Sequence, residues 1–599
     1  MTTDTVPARL FARADRTPDK PAYYVRRKGS WQSTSWRGYA DGVRTAAKAL
    51  IALGFQPQDK VTILGFNRPE WVVMDVAAMA AGGVPAGIYT TSSPAEVAYI
   101  TGHTEAPVIL VEDHAQWEKV KQVRGELPKL KHVVLMEGVP AVDDPMVLTW
   151  DAFMAKASGA SDADLDARVA ALEDDALATL IYTSGTTGPP KGVMLSHKNL
   201  AWTARVALDL VNYGEGDKTV SYLPLSHIAE QMFTIHAPIT GGGRVYFAES
   251  IEKLRDNLVE VQPQVVFGVP RIWEKFYAGV NTKLGQAPAI RQKIARWAMR
   301  VGRRASAVQN AGGEVGGLLG LQYRIANKLV YSKLRPALGL GGAKVCVSGA
   351  APISAEILEF FSGLDVNIRE VYGQSEDCGP TTFNMPGKTR FGTVGPAVPG
   401  VEVKIADDGE IVVRGPNVFL GYYKDEAATS EALQDGWLHS GDLGAFEGEF
   451  LRITGRKKDI IITAGGKNIT PKNIELGIKQ KVEIVGEAVV IGDNSPFCTA
   501  LLVIDPEALE AWAERTPEWQ RAAQLIERTL HEQPSLDPSA VAILVPKWRM
   551  AEAFRAALED RGIPAELAGG RGLLPLPEVR DLINLVRFWA RDDANLAAT

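Results

Sequence analysis

Cysteine is scarce. The 599 residues hold three, Cys346, Cys378 and Cys498, with no close pair. That excludes a disulfide scaffold and a cysteine-rich metal site and fits a reducing, cytoplasmic setting. An excess of charge of one sign is lacking too. Lys and Arg number 65 against 71 Asp and Glu, a net charge of −6, whereas a dedicated nucleic-acid binder is normally basic. No apolar run is long and clean enough to span a bilayer. The most apolar stretch, 71–89, is interrupted by Asp75, Gly82, Gly83 and Pro85, and it reads as a buried helix followed by a turn. The opening residues, MTTDTVPARLFARADRTPDK, contain no apolar segment of the kind a secretory signal needs. What is present is ordinary: 46% hydrophobic and 23% charged residues, which excludes a mainly disordered chain. The length exceeds what one core serves, so at least two domains and three or four lobes are expected.

Helical and strand-like patterns alternate along the chain. Trp36 to Leu53 has apolar residues at helical spacing and stops at Gly54. Lys60 to Phe66 is a β-rich run ending in the turn residues Asn67 and Pro69. A helix start at Pro94 and a buried strand over 107–111 follow. Further strands are expected over 264–269 and 344–348. This alternation predicts parallel sheets covered by helices. Asp407-Asp408-Gly409 separates VEVKI from EIVVRG, a hairpin signal. The glycine-rich stretch 312–320 reads as a surface loop, and no internal repeat is visible.

The most informative stretch is 182–192, YTSGTTGPPKG, which follows the strand-like run LATLI. Glycines and small hydroxylated residues let a backbone turn tightly and aim several N–H groups at one point. Thr183, Ser184, Thr186 and Thr187 add hydroxyls, Gly185 and Gly188 add freedom, and Lys191 adds a mobile positive charge. Such a loop suits a polyphosphate. It is not a Walker A loop, because the GxxxxGK[ST] spacing is absent. A glycine- and threonine-rich turn alone would not decide between a ligand loop and an ordinary bend; some ten specified positions in order do.

This loop resembles the phosphate-binding signature of the adenylate-forming superfamily, which groups acyl-CoA synthetases, luciferases and peptide-synthetase adenylation domains. Three more segments agree in order and rough spacing: EVYGQSE (370–376) resembles the adenine and magnesium motif, DGWLHSGDL (435–443) the ribose motif, and TGRKKD (454–459) the hinge. PLSHIAE (224–230), GVPRIWEK (268–275) and GGVPAGIYTTSSP (82–94) resemble the long-chain fatty acyl-CoA synthetase branch. The resemblance covers about 10 to 512.

The resemblance implies an α/β fold: a large N-terminal region of α/β sheets over 1–455, with a β-subdomain at about 385–455, then a hinge and a small C-terminal α/β lobe with an atypical tail. It implies two steps. A carboxylate attacks the α-phosphorus of ATP to give an acyl-adenylate and pyrophosphate; a thiol then takes the acyl group and AMP leaves. The substrates implied are a long-chain fatty acid, ATP and coenzyme A, with Mg²⁺ as cofactor. Ser184, Gly185, Thr186, Thr187, Gly188 and Lys191 would hold the phosphates, and Glu376 the Mg²⁺. Tyr372, Gly373, Gln374, Ser375 and Gly349 would lie along the nucleotide, Tyr372 offering its ring to adenine and the small SGAA segment (348–351) letting the adenylate lie close to backbone. Asp442 would accept from the ribose hydroxyls beside Arg456. His227 would sit near the acyl carboxylate, although a lone histidine is more often a satisfied structural residue. Arg271 and Trp273 would shape the acyl slot or pack a helix start; the residues themselves leave this open. The small domain would rotate between half-reactions, with Lys458 at the hinge and Gly465 and Gly466 lining the pantetheine tunnel. Enzymes of this branch often work at membrane surfaces, so peripheral association with the inner face of a membrane is considered, although no anchoring helix is visible. No nucleic-acid partner is expected.

The resemblance breaks in the C-terminal part. The family's terminal segment, resembling LTPTLKLKR, is not found, and the only lysine after Lys481 is Lys547 in VPKWRM. Residues 456–515 read as the start of the mobile domain. Residues 516–599 resemble a piece of a UvrD/Rep-type helicase without its phosphate loop, with a strand expected from Val541. Loss of the terminal lysine would remove a cation from the α-phosphate, so slow adenylation is expected. A ligase that loads a carrier protein and a catalytically weak nucleotide- or acyl-binding relic are the competing readings.

Overall fold

The computed structural model describes residues 4–183, 189–462, 468–482, 484–493, 497–505, 508–509 and 541–544. The chain divides into two units, one formed by Met1–Ser440 with Phe446–Arg452, the other by Gly441–Ala445 with Ile453–Thr599. The expected boundary at 455 falls three residues beyond Arg452. The hairpin of Trp437–Glu447 and Phe450–Arg456 contributes residues to both units.

An eight-stranded sheet dominates the large unit. Its order is Gly421–Tyr422, Lys191–Ser196, Leu177–Thr183, Val84–Ile88, Lys60–Leu64, Val108–Val111, His132–Leu135 and Val147–Thr149. The last six are parallel neighbours, as the alternating pattern predicts. The strand Lys60–Leu64 passes through the helix Pro69–Ala80 back to the adjacent strand Val84–Ile88. That helix buries every residue from Glu70 to Ala80, which explains why its sequence is apolar all round. The stretch 71–89 therefore differs from the expected helix and turn: it holds a helix, a turn and a fully buried strand. The turn needs its glycines. Gly82 has φ +84°, and a Cβ at Gly83 would lie 2.3 Å from the Phe55 ring. The helix Pro94–Thr104 opens on a capping box in which Ser93 and Glu96 exchange bonds with each other's backbone N–H.

Two four-stranded sheets complete the α/β part. One runs Lys218–Ser221, Arg244–Phe247, Pro21–Arg27, Ser30–Ser35; the other Val265–Gly268, Val345–Ser348, Ile368–Tyr372, Thr382–Phe383. In each, one antiparallel edge strand is added to three parallel ones. Trp273 is fully buried under the second, its indole N–H shared by the Gly268 and Val347 carbonyls at 3.1 and 3.3 Å. The open choice over Trp273 resolves toward packing. Arg271 lies half exposed near Glu274. The hairpin signal at 407–409 is also met: Glu402–Ile405 pairs antiparallel with Glu410–Arg414 in the five-stranded β-subdomain sheet. The stretch 312–320 is loop only in part, because the helix Gly317–Ala326 starts inside it.

The small unit has a two-stranded ladder (Ile461–Ile462 with Asn468–Ile469), the helix Pro471–Lys481 and a three-stranded sheet. In that sheet Val485–Ile491 pairs antiparallel with Thr499–Ile504, which pairs parallel with Val541–Leu544. Ile461, Val490 and Ala500 form its core with Ile474 and Ile478 of the helix. The expected strand from Val541 is therefore present, and it completes the sheet of this unit.

Candidate functional site

Leu177–Thr183 and Lys191–Ser196 form an antiparallel pair with Tyr182 opposite Gly192 and Thr183 opposite Lys191. The proposed phosphate loop is the segment that joins them in the chain. Ser184, Gly185, Thr186, Thr187 and Gly188 lie outside the described residues, as do Gly465 and Gly466; the frame that holds the loop is described. Tyr182 is buried and its hydroxyl meets His103 Nδ1 at 2.8 Å. A Cβ at Gly192 would come within 3.2 Å of that Tyr182 ring, so the pair closes only with glycine there or with a shift of the ring.

The short strand Gly421–Tyr422 adds to the other edge of Lys191–Ser196, with Tyr422 opposite Val193 and Gly421 opposite Met194. Side chains two apart on a strand share a face, and diagonal neighbours are within reach of long and aromatic side chains. The Tyr422 ring accordingly lies 4.9 Å from the Lys191 ammonium, a cation–π contact. The Tyr422 hydroxyl donates to Glu376 Oε1 at 2.8 Å. Burial, with the Glu376 charge behind it, raises the phenol's pKa, so this hydroxyl stays a donor. One tyrosine thus brings together the lysine of the phosphate loop and the carboxylate expected at the metal.

Glu376 is held by the turn that follows the strand Ile368–Tyr372. Its backbone carbonyl accepts the Phe419 N–H at 2.8 Å. Asp377, fully buried, accepts from the Gln374 N–H at 2.6 Å and from the Thr381 hydroxyl. Asn417 donates to the Asp377 carbonyl at 3.1 Å. Burial pushes the Asp377 carboxyl up to about 8. Gln374 donates to the Ser440 carbonyl at 2.9 Å. At Gly373 a Cβ would lie 1.4 Å from the Gly379 carbonyl oxygen, so no other residue fits this turn. Tyr372 is half buried and Ser375 buried. Gly349 follows the neighbouring strand; a Cβ there would lie 2.6 Å from Val371.

His227 caps the helix Ile228–Gln231, its Nδ1 accepting the Ala229 N–H at 3.1 Å. Burial lowers its pKa. The ring is therefore neutral, with its proton on Nε2. Next to it Glu230 is buried and accepts from Thr234 at 2.7 Å, from the Tyr222 N–H at 3.2 Å and from Asn67 at 3.3 Å. Burial pushes this carboxyl up to about 7. In the small unit Arg456 Nε donates to Asp442 Oδ1 at 2.8 Å, with Asp442 nearly buried. The two expected ribose residues are bonded to each other. Lys458 is exposed in the short turn Lys457–Asp459.

Sequence reasoning missed Tyr422, Asp377 and the network of Glu230. Glu230 stood inside a quoted motif and Asp377 directly after one. Tyr422 had no local signal; only the pairing of 421–422 with 193–194 ties it to the site.

Two family models match. One, described as AMP-binding enzyme, covers residues 10–423, and one described as AMP-binding enzyme C-terminal domain covers 458–541. The long-chain-fatty-acid–CoA ligase ACSBG2 of Xenopus laevis is 40% identical over 507 residues, 82% of this chain and 68% of that one. The long-chain-fatty-acid–CoA ligase FadD15 of Mycobacterium bovis is 39% identical over 519 residues, 86% of this chain and 84% of that one. In fold, the ATP-bound MatB of Rhodopseudomonas palustris is similar at a TM-score of 0.65 and 25% identity, covering 90% of this chain and 95% of that one. The helicase-like reading of 516–599 finds no support here: the second family model runs through residue 541, past the expected boundary, and the rest of the tail lies outside the described residues. The chain belongs to the AMP-binding enzyme family, among its long-chain-fatty-acid–CoA ligases.

Proposed function

We propose that this chain is an ATP-dependent long-chain fatty acid–CoA ligase of the AMP-forming type. The carboxylate of a long-chain fatty acid attacks the α-phosphorus of ATP. The bond to the bridging oxygen breaks, pyrophosphate leaves, and the coenzyme A thiol then displaces AMP from the acyl carbon. The observation that carries this reading is the Lys191–Tyr422–Glu376 constellation at the start of the strand Lys191–Ser196. Transfers at phosphorus need little covalent help from a protein, so positioning and charge neutralisation dominate. Lys191 and the loop backbone bind the β- and γ-phosphates. Tyr422 fixes both the lysine and the carboxylate. Neutral His227 presents its Nε2–H as donor to the acid head group. Tyr372, Gln374, Ser375 and Gly349 line the nucleotide, and Asp442 receives the ribose hydroxyls.

Mg²⁺ fits this set of donors. It is usually held by one or two carboxylates plus substrate phosphates, and Glu376 has an oxygen beyond the one that accepts from Tyr422. Among the described residues no group of three His, Cys, Asp or Glu forms an all-protein cage. When bound, the ion neutralises phosphate charge. No helix among the described residues is long and apolar enough to cross a membrane; we place the enzyme in the cytoplasm, working peripherally at a membrane surface. The test is pyrophosphate release with fatty acids of graded length, with and without coenzyme A. Turnover rising with chain length and lost in Lys191→Ala supports the reading. Turnover with short polar acids only, or acyl transfer that ignores free coenzyme A, overturns it.

A further inference from the structure

The surface of the large unit carries one apolar stripe that no part of the site uses. In the helix Gly317–Ala326 and the π-helical turn Asn327–Tyr331 that continues it, Leu318, Leu321, Ile325 and Leu329 are 72, 51, 44 and 46% exposed. Steps of three, four and four residues place them along one side. The other side does the packing: Leu319, Tyr323, Ala326 and Val330 lie against Ala298, Val301 and Tyr331. The partner helix Ala289–Asn310 begins with two more exposed aliphatics, Ile290 at 70% and Ile294 at 37%. Isolated exposed aliphatics are unremarkable, but a row of them marks a surface that is covered in use.

Charge says by what. Residues 289–331 contain eight Lys and Arg and a single acidic residue, Glu314, a net of +7 in a chain of net −6. Arg291, Lys293, Arg296, Arg300, Arg304, Lys328 and Lys333 are exposed. None of these seven forms an ion pair among the described residues. A second copy would set this cationic segment against itself, which like-charge repulsion opposes. A nucleic acid would meet the cations but leave the leucines in water. An anionic bilayer satisfies both, taking aliphatic side chains at the headgroup boundary and cations at its negative surface.

We infer that the helical pair 289–331 is a docking surface for anionic membranes. This rests on the fatty-acid reading only for its purpose, since such acids partition into bilayers; the binding itself stands on the surface alone. The test is flotation of the full chain with vesicles of phosphatidylglycerol and phosphatidylcholine in roughly equal parts, against pure phosphatidylcholine. Expected are binding to the anionic vesicles at least about tenfold tighter than to the neutral ones, and loss of that binding as salt rises. Leu318→Ser with Leu321→Ser, and separately Arg300→Glu with Lys328→Glu, should each weaken it about tenfold. Both double variants should retain acyl-CoA formation from a medium-chain acid in vesicle-free solution. Equal flotation with both vesicle types, or variants that float like the parent, overturns the inference. So does binding to a DNA duplex or self-association in place of vesicle binding. The vesicle-free assay keeps the tests apart: its failure in the parent chain counts against the ligase reading and leaves the flotation result standing.

Discussion

Tyr422 is the side chain on which most of the site's geometry turns. Its hydroxyl bonds a carboxylate, and hydrogen bonds to charged groups contribute about 1.5–3 kcal/mol. Tyr422→Phe should therefore leave Lys191 stacked on a ring but free Glu376, lowering pyrophosphate release at limiting Mg²⁺-ATP by about tenfold or more. Steady-state kinetics across Mg²⁺ concentrations check this, and an unchanged profile would remove Tyr422 from the site. Gly373 fails differently. A methyl group 1.4 Å from the Gly379 oxygen cannot be accommodated without moving the turn that bears Glu376. Gly373→Ala should cost roughly 3 kcal/mol or more of stability, read as a lower melting temperature in calorimetry. The motif signalled that glycine belongs at 373; the reason, a turn closing on its own backbone six residues later, is visible only in three dimensions.

At the level of elements, the two-residue strand Gly421–Tyr422 does more than its length suggests. Gly421 has φ +132°, and a Cβ there would sit 2.6 Å from Thr429 Cγ2. Gly421→Ala should push this strand off Lys191–Ser196 and carry Tyr422 away from Glu376. The expected outcome is a fall in pyrophosphate release out of proportion to the fall in melting temperature, measured on the same preparation. If both decline only as a general destabilisation would dictate, the strand has no positioning role. Long periodic elements were legible beforehand: Trp36–Ala52 and the strands 60–64 and 345–348 carry their period in their own residues. Gly421–Tyr422 was not, because two residues hold no period. The strand Val84–Ile88 was hidden for a related reason, since a buried parallel strand is as uniformly apolar as the core helix before it.

For the whole molecule, buried carboxyls set the response to pH. Burial pushes Glu230 up to about 7 and Glu370 and Asp377 up to about 8. Unfolded, such groups titrate near 4. The folded state thus keeps protons that the unfolded state releases, and the stability these groups contribute is lost as pH rises through about 7 and 8. On the acid side His197 and His236, held neutral by burial at about 4 and about 3, lower stability once pH falls below histidine's ordinary value of about 6.5. The melting temperature should decline from mildly acidic toward alkaline pH, and Asp377→Asn should flatten that decline; a parent curve flat across this range would contradict the assignment. A second expectation concerns the C-terminal region, where the lysine of the family's terminal segment is not found. Adenylation should be slow by a few kcal/mol of lost charge stabilisation, while thioester formation from supplied acyl-adenylate suffers less. Pyrophosphate release as fast as that of FadD15 under the same conditions would disprove it.

The residues alone determined the reaction class and the order of parts. Phosphate loop, adenine motif, ribose motif and hinge are contiguous runs, and contiguous runs survive in one dimension. They also determined the alternation of strand and helix, since side-chain period is a local property. The tertiary structure decided which distant residues meet: Tyr422 with Lys191 and Glu376, Asn67 with Glu230, and Asn417 with the Asp377 backbone. It also decided that Trp273 is core and that Leu318, Leu321 and Leu329 face water while Leu319 between them packs inward. Those outcomes depend on strand pairing and helix packing between segments far apart in the chain, for which no single stretch of sequence holds a record.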